Sequence, residues 1–174
     1  MSNIFDDAEK DAERVLVTIW SPDASPVRLP VDPVQIAKRL GIDTFETQLD
    51  PNVSGTLVKR AGRDPIILIN DQDSNNRQRF SCAHELGHYV RRSNQMEEAS
   101  EEFEYVDLRG PLAAQGSDQE EMYANRFGAA LLMPAERVRA FKKASLSVVE
   151  MQYAFGVSGD AMGNRLKSLN VTLK

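Results

Sequence analysis

The chain contains two histidines, and both fall in the pentapeptide HELGH: His84 and His88, four positions apart, with Glu85 directly after the first. No other stretch restricts the fold as strongly. In an α-helix each residue turns the chain by about 100°, so positions four apart stand one turn apart on nearly the same face. The surrounding segment places Phe80, Ala83, His84, Gly87, His88 and Arg91 on one stripe at that spacing, which predicts a helix from about Asn76 to Arg91.

On such a helix two imidazoles point at one position in space. Zinc accepts neutral imidazole nitrogen, and a catalytic zinc commonly has three protein ligands with one place left for water. Glu85, displaced around the helix from both histidines, would stand beside that water and take its proton, so two ligands and a base come from a turn and a half. The competing explanation is a helix whose histidines are simply hydrogen-bonded to neighbours. In a histidine-poor chain this register arises by chance on the order of one per cent of the time or less. Gly87 adds to the metal reading. A glycine inside a helix costs about 1 kcal/mol relative to alanine, so it asks for a reason: a close approach of another backbone or of a ligand, or plain tight packing.

A third protein ligand cannot be histidine, because none remains. Cys82 lies two residues before His84 and is turned away from the ligand face; a buried, small apolar role suits it better. Among the carboxylates, Glu121 is selected by periodicity. On the segment DQEEMYANRFGAALLMP, predicted to be a helix capped by Asp118 and stopped by Pro134, Glu121 shares a face with Ala124, Asn125, Gly128 and Leu132. Those small and apolar residues permit a close helix–helix approach. By the same count Glu120 points toward solvent. Glu121 also reads as an ordinary first-turn carboxylate favoured by the helix dipole. Asn125, one turn on, is placed to hydrogen-bond a ligating side chain. Phe127, Tyr123 and Met133 read as core.

The rest of the chain supplies a frame. DDAEKDAERVLVTIW has the spacing of an amphipathic helix, and SPDASPVRLP breaks it with a loop. VDPVQIAKRLGI reads as a second helix with Asp32 as cap, Pro33 at the first position and Gly41 as stop. From Thr44 the pattern turns to strands, with SGTLVKR and DPIILIND forming a hairpin. The acidic stretch between Ser93 and Gln119 reads as a mobile surface loop, with a lid over a site as the sharper alternative. The tail SLSVVEMQYAFGVSGDAMGNRLKSLNV reads as two short helices joined at GVS.

Composition narrows the classes. With 41% hydrophobic and 27% charged residues the chain is globular, and no apolar run approaches the roughly 20 residues of a membrane span. The acidic start lacks the pattern of a secretory signal, and a lone cysteine suits a reducing compartment; both suggest a cytoplasmic protein. A formal charge of −5 works against direct nucleic-acid binding. The one basic run, RVRAFKK from Arg137 to Lys143, reads as a solvated helix face.

Taken together, VDPVQIAKRLGI, PIILIND, RQRFSCAHELGHYV and EMYANRFGAALLMP, in that order over about residues 30 to 135, resemble the ImmA/IrrE family of metallopeptidases. The resemblance implies an α+β, zincin-like domain: a small twisted antiparallel or mixed sheet packed on an active-site helix, over residues 1–136. A small helical appendage follows over residues 137–174 and has some likeness to a helix-turn-helix. It implies His84, His88 and Glu121 as zinc (Zn2+) ligands and Glu85 as the general base. It further implies an endopeptidase that cleaves a partner helix-turn-helix repressor in stress response or mobile-element control. Many relatives carry another histidine soon after the motif where Arg91 and Arg92 stand here, which removes no ligand but alters the surface.

Two other functions compete with this one. The first is a catalytically silent, peptidase-like binding module, or a toxin–antitoxin component, that sequesters a repressor-like partner; the other is a DNA-binding regulator acting through the tail, disfavoured by the acidic charge. An oxyanion-stabilising residue is expected, with Tyr89, Tyr105, Tyr123 and nearby arginines all open. A strand of the hairpin beside the cleft is a candidate to hold the substrate as an added strand.

Overall fold

The computed structural model describes residues 3–23, 25–95, 103–108 and 119–172. Helix α1 (Ile4–Val15) starts where the Asn3 side chain accepts a hydrogen bond from the Phe5 amide, and its buried stripe is Ala8, Ala12 and Val15. It runs on as one π-helical turn, Leu16–Trp20. The indole of Trp20 lies between the Arg28 and Arg39 guanidiniums, 5.4 and 5.6 Å from its ring centre, which ties the proline-containing loop back onto the helix. Helix α2 (Pro33–Arg39) has the expected cap: Asp32 accepts from the amides of Val34 and Gln35.

Four strands form one sheet in the order β1-β3-β2-β4. Strand β1 is Asp43–Thr47, β2 is Val53–Lys59, β3 is Ile66–Asn70 and β4 is Phe103–Leu108. Strands β2 and β3 are the antiparallel hairpin read from the sequence, while β1 lies parallel to β3. Strand β4 lies antiparallel to the other side of β2, within the stretch expected to be loop. Its partner is far away in sequence, so local pattern did not expose it. Both sides of β2 are therefore paired, and the hairpin strand expected to receive a peptide has no edge to offer; the free edges among the described strands belong to β1 and β4. Residues 96–102 and 109–118 of that acidic stretch, the Asp118 cap among them, lie outside the described residues.

Helix α3 (Asn75–Gln95) lies across the sheet, longer than expected at both ends. Leu57, Ile67 and Ile69 of the strands and Cys82, Ala83 and Leu86 of the helix are all buried in the one core. Helix α4 (Gln119–Leu132) packs between α3 and α1. Helix α5 (Ala135–Lys143) carries the basic run and buries Val138. Helices α6 (Val148–Phe155) and α7 (Gly159–Ser168) are the two tail helices, joined at Gly156, whose φ of 64° closes α6 in a left-handed conformation that favours glycine.

Two arginines fasten this tail. Arg79 of α3 donates to the carbonyls of Val31 (2.6 Å), Gly156 (3.0 Å) and Phe155 (3.3 Å). Arg165 of α7 is fully buried; it donates to the Met133 carbonyl at 2.9 Å and grips Glu9 of α1 with both terminal nitrogens. The architecture is α+β, as expected, and among the described residues no helix is long and apolar enough to cross a membrane.

Candidate metal centre

Helix α3 buries an unusual set of side chains. His84, Glu85 and His88 are each at most 1% exposed, which is costly for polar groups unless partners surround them. The partner surface is α4, and glycines set how closely it approaches. A Cβ on Gly87 would stand 2.9 Å from the Ala124 Cα, and one on Gly128 would stand 3.2 Å from the His84 amide nitrogen. Each helix thus has a glycine where the other's backbone passes. The face Glu121–Ala124–Asn125–Gly128 is the one that meets the histidines.

Three donor side chains converge there. The Nε2 atoms of His84 and His88 are 3.0 Å apart, with Glu121 Oε2 3.3 Å from the first and Glu121 Oε1 3.1 Å from the second. In a tetrahedral zinc site with bonds of about 2.0–2.1 Å the donors stand roughly 3.3 Å apart, so this donor set fits such an ion in chemistry and in spacing. Asn125 Oδ1 lies 3.1 Å from His84 Nδ1. An amide oxygen there accepts a hydrogen bond from Nδ1–H, which keeps the proton on Nδ1 and leaves the Nε2 lone pair directed at the cluster. Burial alone would raise the Glu121 carboxyl, but hydrogen bonds and charge interactions with both histidines outweigh it and hold it far below the usual range. Burial is also the largest influence on His88, favouring its neutral, metal-binding form against the opposing pull of Glu121.

Glu85 takes no place among these donors. Its Oε1 would lie 3.4 Å from a Cβ on Gly55, so the carboxylate rests against the bare backbone of β2. Beside it the register of β2 against β4 shifts between Val53 and Gly55, and the intervening Ser54 accepts from Arg77 Nε at 3.0 Å. Such irregularities often re-aim side chains near functional sites. Arg77, Ser81 and Glu85 occupy one face of α3, the face toward β2. Neither Gly55 nor Arg77 was singled out in the sequence, although a lone glycine within a strand pattern is the signal for a close approach of this kind.

The other expected residues fall elsewhere. Cys82 is buried, and burial pushes its thiol well above the ordinary range, in keeping with a core role. Glu120 does not simply face solvent: its carboxylate meets Arg91 Nε at 2.8 Å, because that arginine, a turn beyond His88 at the start of the α4 contact, reaches across. The Tyr123 hydroxyl donates to Asp11 Oδ2 at 2.5 Å, which turns it toward α1 and away from the cluster. Tyr89 is half-buried on α3, and the Tyr105 side chain lies outside the described part.

The model of the IrrE N-terminal-like domain, a peptidase family, matches residues 37–167. No curated protein matches the chain. A solved structure described as a Mycobacterium tuberculosis transcriptional regulator is similar at 17% identity with a TM-score of 0.61, over 93% of this chain and 46% of that one. The chain therefore spans about half of that protein's length, and at this identity the likeness is one of fold.

Proposed function

Because the chain belongs to the ImmA/IrrE family, whose IrrE N-terminal-like domain is metallopeptidase-like, we propose that it is a zinc-dependent endopeptidase acting on a protein partner. The observation that carries this reading is the convergence of His84, His88 and Glu121 within 3.0–3.3 Å of one another, beside a buried glutamate on the same helix. The two Nε2 atoms and the Glu121 carboxylate would hold the ion, with Asn125 fixing the ring of His84. When bound, zinc supplies Lewis-acid activation of the attacking water and of the scissile carbonyl.

The remaining chemistry belongs to Glu85. As water adds to the peptide carbonyl carbon, a Glu85 carboxylate oxygen accepts its proton; as the C–N bond breaks, the same oxygen returns a proton to the leaving amine nitrogen. Packing against Gly55 holds that carboxylate in one place, so it need not reorganise during the reaction. The partner proposed from the family resemblance is a helix-turn-helix repressor.

Co-expression with the repressor encoded nearest to this chain, followed by intact-mass measurement, tests the proposal. The wild type is expected to leave two repressor fragments, while Glu85→Gln leaves the repressor whole yet keeps bound zinc in elemental analysis. An intact repressor in stable complex with both forms would instead support the sequestering module.

A further inference from the structure

A groove of about 610 Å³ begins at the outer side of the metal centre, in the size range of ligand sites. Asn125, which bonds His84, lines it, as does Phe80, whose ring centre is 6.4 Å from that of His84. From there it runs between α4 and α7. Its walls include the apolar side chains of Phe80, Met122, Ala129 and Ala161, the methionine being a side chain that adapts to varied apolar partners.

The charge of the groove is opposite to that of the chain. Of the described residues lining it, three are arginines, Arg77, Arg126 and Arg165, and none carries a carboxylate. Glu9 is shared by two of them, Arg126, at 2.7 Å, and Arg165, with Arg139 also close enough to act on it. Arg165 is buried with its charge met by Glu9, so the cationic edge of the apolar trough is Arg126, with Arg77 over the Phe80 ring, in a protein whose formal charge is −5.

We propose that this groove docks the recognition segment of the protein partner, an amphipathic stretch with bulky apolar side chains flanked by carboxylates. This rests on the peptidase reading for its purpose, since Asn125, which lines the groove, also bonds His84 of the metal centre. Apolar walls supply the area for binding, and the arginine edge selects against basic segments.

The test uses the full chain and three fluorescein-labelled, alanine-based helical peptides: leucines on one face flanked by glutamates, the same leucines flanked by lysines, and serines with the glutamates. In fluorescence anisotropy the first should bind at least about tenfold more tightly than either of the others. Arg126→Gln should shrink the preference for glutamate over lysine, and Ala129→Trp, filling the trough, should weaken the first peptide by about tenfold with its melting transition kept. Equal binding of the glutamate and lysine peptides to the unmodified chain overturns the proposal, as does failure of all three to bind. So does a concentration-dependent dimer lost in Ala129→Trp, which would assign the groove to a second copy. The two readings fail separately: peptide preference without repressor cleavage leaves the groove and removes the peptidase, whereas undiminished cleavage by folded Ala129→Trp removes the groove and leaves the peptidase.

Discussion

Asn125 sits at the rim of the centre, and its amide decides which nitrogen of His84 is available as a donor. Replacing it with leucine keeps a similar volume and removes the acceptor, so zinc affinity should fall by about 10–100-fold in competition with a chromophoric chelator. Unchanged affinity would make the 3.1 Å contact incidental. At this scale the sequence was most legible, because HELGH confines its chemistry to a turn and a half of helix. Glu121 could be chosen only through the small residues on its face. The oxyanion aid could not be found at all, since a tyrosine's direction depends on a distant neighbour: Asp11, far off in sequence, is what claims Tyr123.

Between elements, the α3–α4 contact governs whether the donors meet. In an isolated helix Gly87→Ala would stabilise by about 1 kcal/mol. Here the new methyl would stand 2.9 Å from the Ala124 Cα, backbone that cannot swing aside. The sign should reverse, with a net loss of about 1–3 kcal/mol in urea unfolding and weaker zinc binding in the same variant. A more stable Gly87→Ala protein would show that the glycine does not set the helix spacing. The hairpin and both helices were legible from period and punctuation. The parallel placement of β1 and the addition of β4 were not, because strand partners are chosen by burial of whole faces and not by local pattern.

Across the whole molecule, the first and last helices are joined through Glu9, Arg126 and Arg165. Burial raises the Glu9 carboxyl, but the hydrogen bond and charge of Arg165, with Arg126 and Arg139, lower it further, so its folded value lies below the ordinary 4.5. Glu9 therefore contributes stability in full above about pH 4.5 and loses it as the pH falls through the depressed folded value. Glu9→Gln should melt lower at neutral pH and show a shallower decline across that acid window in thermal scans; parallel curves for the two proteins would refute the link. The Arg165–Glu9 pair joins residues too distant in sequence for any local pattern to reveal it, whereas the two tail helices were read from their junction at GVS. Arg79 extends the same logic. Its guanidinium, planted on the helix that bears HELGH, feeds two carbonyls at the end of α6. A protease that nicked the chain near residue 136 and let the tail drift off would take both of those carbonyls from the half-buried guanidinium and leave it Val31 alone, so the helix of the metal centre and the appendage are bound to share one lifetime.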